Sequence, residues 1–372
     1  MTAQAPHAAF EGFVDDCDCT RIAGWCWRSD QPDASVELVI RDGERELGRT
    51  RADKFRRDLL LAGKGNGKHG FHFDLPEEYL LRAEGKLSVR AVDAECELVG
   101  SPATVRPLIQ ELILSPPVFA RYVDGPPLDF GTLRVDIANT CNLFCVYCPT
   151  IALRSKERVE LASFERFLSQ RVAHAQNFAI GCGQEPTTNP ELVSFLEAIG
   201  TSPAKPSEMF MLVTNGTLLH KHDWARIAKS GLNALYLSLD SVDPDVLGGV
   251  RIGSKLALIQ ENVTGLLAAA PGVRLHLNIV VTNRNRGYVE DVIAWGTAQN
   301  AASFTLREMY FPPTPNPKPT IEEQELRGLM LEEGQFATLR DRLIAKWGPE
   351  RFVFADRLHL EQEYAYWAPK LV

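Results

Sequence analysis

Residues Cys141–Pro149, CNLFCVYCP, place three cysteines at spacings of four and three in a chain that has eight cysteines in all. A disulfide framework takes cysteines in pairs, and a structural zinc site is closed by four Cys or His ligands. The nearest histidine downstream is His174, which the apolar pattern places on a helix well beyond this stretch. Three thiolates suit a different guest. A 4Fe-4S cluster held by three cysteines keeps one iron open to another ligand.

The residues on either side of this loop set the fold. From Leu133 onward, apolar runs alternate with amphipathic helical patterns, the signature of repeated β-α units around a parallel sheet. The expected strands are Arg134–Asn139, Asn177–Cys182, Glu208–Asn215, Ala234–Asp240, Arg274–Val281 and Ser303–Met309. They read as nearly continuous apolar runs because a parallel strand is covered on both faces. Helical spacing recurs over residues 159–175, 191–200, 223–231, 254–270 and 288–299. Six such units predict an α/β fold, a partial (β/α)6 barrel whose chemistry sits at the C-terminal ends of the strands. The cysteines come just after the first strand, at that end.

Upstream, short alternating runs such as SVELVIRD, FHFDLP and KLSVRAVD predict a small all-β, sandwich-like domain over residues 1–105. Within it, Asp53–Gly65 reads as a helical turn stopped at Gly63 or Gly65. A proline-punctuated stretch, residues 106–131, is the expected join to the barrel at 132–311. Residues 312–372 comprise a proline-rich segment and a helical tail. Phe311–Thr320, FPPTPNPKPT, is too rich in proline for helix or central strand, and suits a linker or a lid over the barrel mouth.

Composition narrows the function. A net charge of -8 and the lack of a Lys/Arg-rich block argue against a nucleic-acid partner, which needs clustered positive side chains. No apolar run is long enough for a membrane span, and the start MTAQAPHAAF lacks a basic segment followed by an apolar one. A cytoplasmic protein is expected, its thiols kept reduced and available as metal ligands.

CxxxCxxC with Tyr147 just before the last cysteine resembles the signature loop of the radical S-adenosylmethionine (SAM) enzymes. That resemblance implies a 4Fe-4S cluster on Cys141, Cys145 and Cys148, with SAM bound through its amino and carboxylate groups at the fourth iron. It implies reductive cleavage of SAM to methionine and a 5'-deoxyadenosyl radical, with Tyr147 against the adenine. GCGQEP at the end of the second strand resembles the family's Gly-Gly-Glu stretch, which assigns Gly183 and Glu185 to the SAM ammonium, although Gln184 stands where the pattern has glycine. Independently, glycines at a strand end permit close backbone approach, and a carboxylate can pair with an ammonium.

Further candidate positions lie downstream. Asn215, in the TNG that ends the third strand, is either a site residue or part of an Asn-Gly turn. Ser238 and Asp240 share a face of the fourth strand; the resemblance gives Ser238 to the SAM ribose, while Asp240 alternatively caps the DPDV turn. Arg251 matches the arginine that pairs with the SAM carboxylate in some relatives, and Asn278 on the fifth strand either reaches the cofactor or is a satisfied core amide. Cys182 reads as a small core residue. Cys17, Cys19, Cys26 and Cys96 read as ordinary thiols rather than a second metal site. No cysteine comes after Cys182, so the resemblance implies no auxiliary cluster. Arg307 and Glu308 are placed by position to select the substrate bond.

The N-terminal residues, with GWCWRSDQPD, resemble accessory β domains of bacterial glycosyltransferases. Trp25 and Trp27 share one side of a strand, either as core of a small sandwich or as an indole face for a sugar. The function expected is hydrogen abstraction from a substrate, with a sugar or sugar nucleotide of surface polysaccharide metabolism as the reading that the accessory domain suggests. Peptide modification, methyl transfer and a non-catalytic metal-stabilised scaffold that binds glycan or protein are the alternatives. The partners expected are a small-molecule or glycan-linked substrate and a reductase or flavodoxin/ferredoxin-type electron donor.

Overall fold

The computed structural model describes residues 10–82, 84–93, 96–310, 322–357 and 360. The chain divides into two units. One comprises the residues up to Gln110 with Asp124–Gly131 and Gln170–Ala173; the other comprises Glu111–Val123, Thr132–Ser169 and the residues from His174 onward. The proline-rich Phe311–Thr320 and the aromatic tail beyond Leu360 lie outside the described residues.

The N-terminal unit contains β1 (Phe10–Cys17), β2 (Arg21–Arg28), β3 (Val36–Asp42), β4 (Arg45–Ala52), β5 (Lys54–Phe55), β6 (Lys68–Asp74), β7 (Lys86–Ala91), β8 (Cys96–Glu97) and β9 (Ala103–Thr104). They form two antiparallel sheets, ordered β1-β2-β6-β5 and β4-β3-β7-β8, with β9 added to β7. Alternation sorts the faces: Ile22, Cys26, Leu38, Ile40, Phe71, Leu87 and Val89 are buried. Trp25 and Trp27 take the opposite face of β2 and are half-buried, which departs from the reading of core tryptophans. The Lys64 ammonium stands 4.5 Å from the Trp27 ring centre. A short helix, Arg57–Leu61, precedes Gly63, whose φ of 71° gives the left-handed stop that glycine accepts at least cost.

The remaining strands are β10 (Leu108–Leu114), β11 (Leu128–Val135), β12 (Phe144–Cys145), β13 (Val172–Ile180), β14 (Met209–Thr214), β15 (Ala234–Ser238), β16 (Arg251–Ile252), β17 (Arg274–Val281), β18 (Ser303–Glu308) and β19 (Phe352–Ala355). Eight of them make one sheet, ordered β10-β11-β13-β14-β15-β17-β18-β19, which curls into a parallel half-barrel. Pairing is parallel from β13 through β19. Five of the expected strands match its central ones, β13, β14, β15, β17 and β18, while the first, expected at Arg134–Asn139, lies earlier as β11, Leu128–Val135, and begins inside the stretch read as a join.

Two edge strands differ from expectation. LIQELIL, in the stretch read as a join, is β10; FVFA, in the tail read as helical, is β19. The prolines that punctuate the first stretch flank the strand instead of interrupting it, and a four-residue edge strand carries too few residues to announce a period. The helix after the cysteines also ends early, at Gln170, so His174 lies on β13. There, sheet pairing overrides the helical spacing of RVAHA.

Both faces of the sheet are legible in burial. Leu235, Leu237, Leu275, Leu277, Ile279, Phe304 and Leu306 are at most 1% exposed and form the helix-covered outer face. The helices on that side include Leu256–Ala269 and Val289–Ala298. The inner face starts apolar, with Ala179, Met211 and Ala234 packed by Met209, Val213 and Tyr236. Further toward the C-terminal ends it turns polar. Among the described residues no helix is long and apolar enough to cross a membrane.

Helix Leu192–Thr201 approaches its neighbour at Gly200, where an added Cβ would overlap the backbone oxygen of Ser230. Alanine is the better helix former by about 1 kcal/mol, but overpacking against backbone costs about 1–3 kcal/mol. Gly200→Ala is therefore expected to lower the thermal midpoint, and a midpoint equal to or above that of the parent protein would show that the helices separate freely here.

Candidate active site

The loop that carries the three cysteines has little regular structure of its own and is held from several directions. β12 within it pairs antiparallel with β16, which sets Cys145 opposite Arg251. Val146 donates its N–H to Val250 O at 3.0 Å, and Cys148 donates its own to Cys145 O at 3.1 Å. Arg154 reaches back to Leu143 O at 2.8 Å.

Asp240, fully buried just past the end of β15, is the main anchor. Its carboxylate accepts Arg251 Nε at 2.8 Å and Nη2 at 3.0 Å, the Val280 N–H at 2.9 Å, and the Tyr147 hydroxyl. Arg251 is itself 7% exposed, so the pair is desolvated and survives because its geometry is bidentate and the other acceptor positions are filled. Burial works against the Arg251 charge, but Asp240 beside it prevails and holds the guanidinium firmly protonated. Arg251 Nη1 stands 3.9 Å from Cys145 Sγ, and the guanidinium carbon 5.7 Å from the Tyr147 ring centre. Asp240 thus does not cap the next helix; Asp243 does, accepting the N–H groups of Asp245 and Val246.

The other side of the loop meets the ends of β11, β13 and β14. Asn215 Nδ2 donates to Asn142 Oδ1 at 3.0 Å and lies 3.9 Å from Cys141 Sγ, while its Oδ1 accepts from Thr217. Gly216 has a φ of 78°, so the Asn-Gly turn and the contact with Cys141 coexist. Glu185 is buried and accepts from Thr187 N, Thr187 Oγ1 and Thr214 Oγ1 on Oε1, and from Asn215 N at 2.7 Å on Oε2. Four donors fill a carboxylate, and burial raises its pKa. In this structure Glu185 ties β13 to β14.

Gly183 is fixed through both its backbone groups. Thr150 Oγ1 donates to its carbonyl at 2.8 Å, and Asp136 Oδ2 accepts its N–H at 3.1 Å. Asp136 also accepts the Cys182 N–H at 2.8 Å and lies 3.4 Å from the Cys182 thiol. Cys148 Sγ and Thr150 Oγ1 are 3.3 Å apart, which links the third cysteine to this turn. Gln184 Nε2 donates to Thr150 O at 3.3 Å, and its buried Oε1 has no hydrogen-bond partner. Ser238 and Asn278 stand level across β15 and β17, half-buried on the inner face.

Residues 135–295 match the family model described as the Radical SAM superfamily. These residues, fewer than half of the chain, are similar to a radical SAM superfamily domain. Similar proteins include the GTP 3',8-cyclase of Desulforamulus reducens, 32% identical over 137 residues, covering 35% of this chain and 41% of the relative. The GTP 3',8-cyclase of Rhizobium etli is 25% identical over 234 residues, covering 59% of this chain and 64% of the relative. The chain therefore spans between two-fifths and two-thirds of the length of these curated relatives. Among solved structures, Streptococcus suis SuiB bound to S-adenosylmethionine gives a TM-score of 0.45 at 17% identity, covering 62% of this chain and 51% of that one.

The three thiols of the loop form a donor set that suits a 4Fe-4S cluster with one open iron. Among the described residues no three His, Cys, Asp or Glu side chains converge on one point that could hold a metal ion. Structural zinc requires such convergence, with sulfur about 2.3 Å from the metal. A four-iron cube is larger, and each iron takes its own thiolate. The three sulfurs are still close enough to influence one another: charge on Cys148 raises the pKa of both Cys141 and Cys145. Burial is the larger effect, pushing Cys145 up to about 12, with Arg251 pulling the other way. Metal charge is what ionises a buried thiol of this kind.

Asp136 and Thr150 are the site residues that sequence reasoning missed. Asp136 is a lone carboxylate inside an apolar strand, a signal available in RVDIAN. Thr150 carries none. Glu308 is drawn out of the site: it is buried against Arg357, which donates its N–H at 2.9 Å and Nη2 at 2.8 Å.

Asp240→Asn would leave Arg251 buried without a counter-charge, at a cost of about 3–5 kcal/mol by chemical denaturation. The double variant Asp240→Leu/Arg251→Met is expected to be more stable than Asp240→Asn alone. Equal stability of the parent and Asp240→Asn would place the pair in water instead.

Proposed function

We propose that this chain is a radical SAM enzyme that abstracts hydrogen from a sugar or sugar nucleotide. The observation that carries the reading is the loop itself, three thiols on nine residues fixed at the C-terminal ends of a parallel half-barrel. With cluster and SAM bound, the chemistry supplied is one-electron cleavage of the sulfonium to methionine and a 5'-deoxyadenosyl radical.

The chain's own residues then have definable tasks. Cys141, Cys145 and Cys148 are the proposed iron ligands. Asn215 and Arg251 place polar hydrogens beside the first two sulfurs, each at 3.9 Å, which tempers the charge of the thiolates. Gly183 offers the second lone pair of the carbonyl that Thr150 already meets, and Gln184 an unpartnered amide oxygen, at the turn where the resemblance puts the SAM ammonium. Tyr147 is proposed against the adenine, held by the Asp240 contact and packed against the apolar cluster of Val146, Val250, Met309, Leu326 and Leu329. Arg251 serves the loop through Asp240 with Nε and one hydrogen of Nη2, so its reach toward the SAM carboxylate is left to Nη1 and the second hydrogen of Nη2.

Ser238, Asn278 and Thr305 line three adjacent strands at one level. Their hydroxyl and amide groups support a neutral, hydroxyl-bearing substrate and a ribose contact for Ser238. Cytoplasmic residence and a flavodoxin- or ferredoxin-type donor complete the proposal. In anaerobically reconstituted protein, each of Cys141→Ala, Cys145→Ala and Cys148→Ala is expected to abolish the brown cluster absorbance and 5'-deoxyadenosine formation from SAM under dithionite. Retention of both by any one of the three refutes the assignment.

A further inference from the structure

His276 lies on the inner face of β17, level with Tyr236 on β15 and Ser303 on β18. Its ring is held in two ways. Tyr236 stacks on it at 4.5 Å between ring centres and 7° between planes, and Nδ1 is 2.7 Å from Ser303 Oγ. The remaining nitrogen, Nε2, is buried and has no hydrogen-bond partner, although the residue as a whole is only 6% exposed. Such an atom forfeits its hydration on folding, a cost of about 1–3 kcal/mol unless something else bonds to it.

The surroundings of the ring define that missing partner. Asn278 lies two residues further along the same face, and Val280 two beyond that, where it donates to Asp240 under Arg251 and Tyr147. At about 3.3 Å per residue, His276 is therefore ~13 Å deeper along the strand than the level of the cysteine loop. Below it the inner face carries the apolar cluster of Ala179, Met211 and Ala234, with the exposed Arg274 level with Ala234 on the strand of His276. Ser238, Asn278 and Thr305 occupy the level between. Burial holds the imidazole neutral, with a pKa of about 4, and Arg274 acts in the same direction. A neutral ring offers one donor or one acceptor and no charge.

We propose that His276 is a substrate-contacting residue at the floor of the half-barrel, where Nε2 hydrogen-bonds a hydroxyl or amide group of the substrate. This inference rests on the proposed function for the identity of the upper ligand, and it adds the depth and chemistry of the lower one. With the SAM ribose proposed at Ser238, two residues above Tyr236 and level with Asn278, a substrate that touches His276 and presents a C–H bond to the 5' carbon need span only about 7 Å. A single sugar ring meets that length, and N-acetylated sugars carry both hydrogen-bonding functions.

The test uses reconstituted, SAM-loaded protein and two probes, N-acetylglucosamine and UDP-N-acetylglucosamine, with binding followed by saturation-transfer NMR. His276→Phe keeps the stack on Tyr236 and removes both ring nitrogens. It is expected to weaken binding of at least one probe by about tenfold, the worth of one buried hydrogen bond. His276→Gln, which restores a polar atom, should recover most of that loss, and the thermal midpoints of both variants should stay near that of the parent. Equal probe binding by parent and His276→Phe overturns the inference, as does a parent protein that binds neither probe. Iron content and 5'-deoxyadenosine from the same samples report on the radical reading separately, so probe binding through His276 without SAM cleavage would sink that reading alone.

Discussion

A single buried carboxylate, Asp240, determines whether the cysteine loop has a shape. Arg251, Tyr147 and Val280 all donate to it, and they come from β16, the loop and β17 respectively. Removing an aspartate and an arginine from water is unfavourable, and only near-complete hydrogen bonding makes the arrangement tolerable. That demand restricts where each donor can stand. Arg251 is pinned next to Cys145, and the Tyr147 ring is turned toward β15. A loop of nine residues with almost no backbone ladder thus acquires a defined path from side-chain chemistry at one strand end.

The opposite flank is organised by a different principle. Asp136 gathers consecutive backbone N–H groups from Cys182 and Gly183, while Thr150 takes the Gly183 carbonyl from the other side. Glu185 bonds Thr214 and the Asn215 backbone. These contacts join the ends of β11, β13 and β14. Because the sheet is parallel, all of its C-terminal ends lie on one rim, and short polar side chains suffice to connect them. The inner face is graded accordingly, from methionine and alanine at the base to serine, asparagine and threonine in the middle.

Much of this was readable from residue order. The central strands are apolar on both faces because helices cover one side and the packed interior the other, and that doubles the hydrophobic signal. CxxxCxxC carries the proposed chemistry because three closely spaced thiols have few other uses. The edge strands were hidden for the opposite reason: β19 has four residues and β10 is framed by prolines, so neither has room to display a period. Glu185 and Arg251 were assigned to a ligand by pattern, whereas most of their hydrogen-bonding capacity goes to the protein. A motif reports which residues are near a site, but the division of their bonds between scaffold and guest depends on partners distant in sequence. Asp240 is an example, its helix-capping alternative lost to Asp243 because Arg251 competes for the same oxygens.

The order of the strands across the sheet has a bearing on biogenesis. Reading from one edge to the other, β10, β11, β13, β14, β15, β17, β18 and β19 keep the order of synthesis without a reversal. Each new strand emerging from a ribosome finds its only required neighbour already in place, so the sheet can grow by addition at a single advancing edge. The cysteines emerge early, but Arg251 comes 106 residues after Cys145. Their loop therefore waits, unclosed, until the fourth central strand and the turn beyond it have been made, and the nascent chain carries exposed thiols throughout that interval.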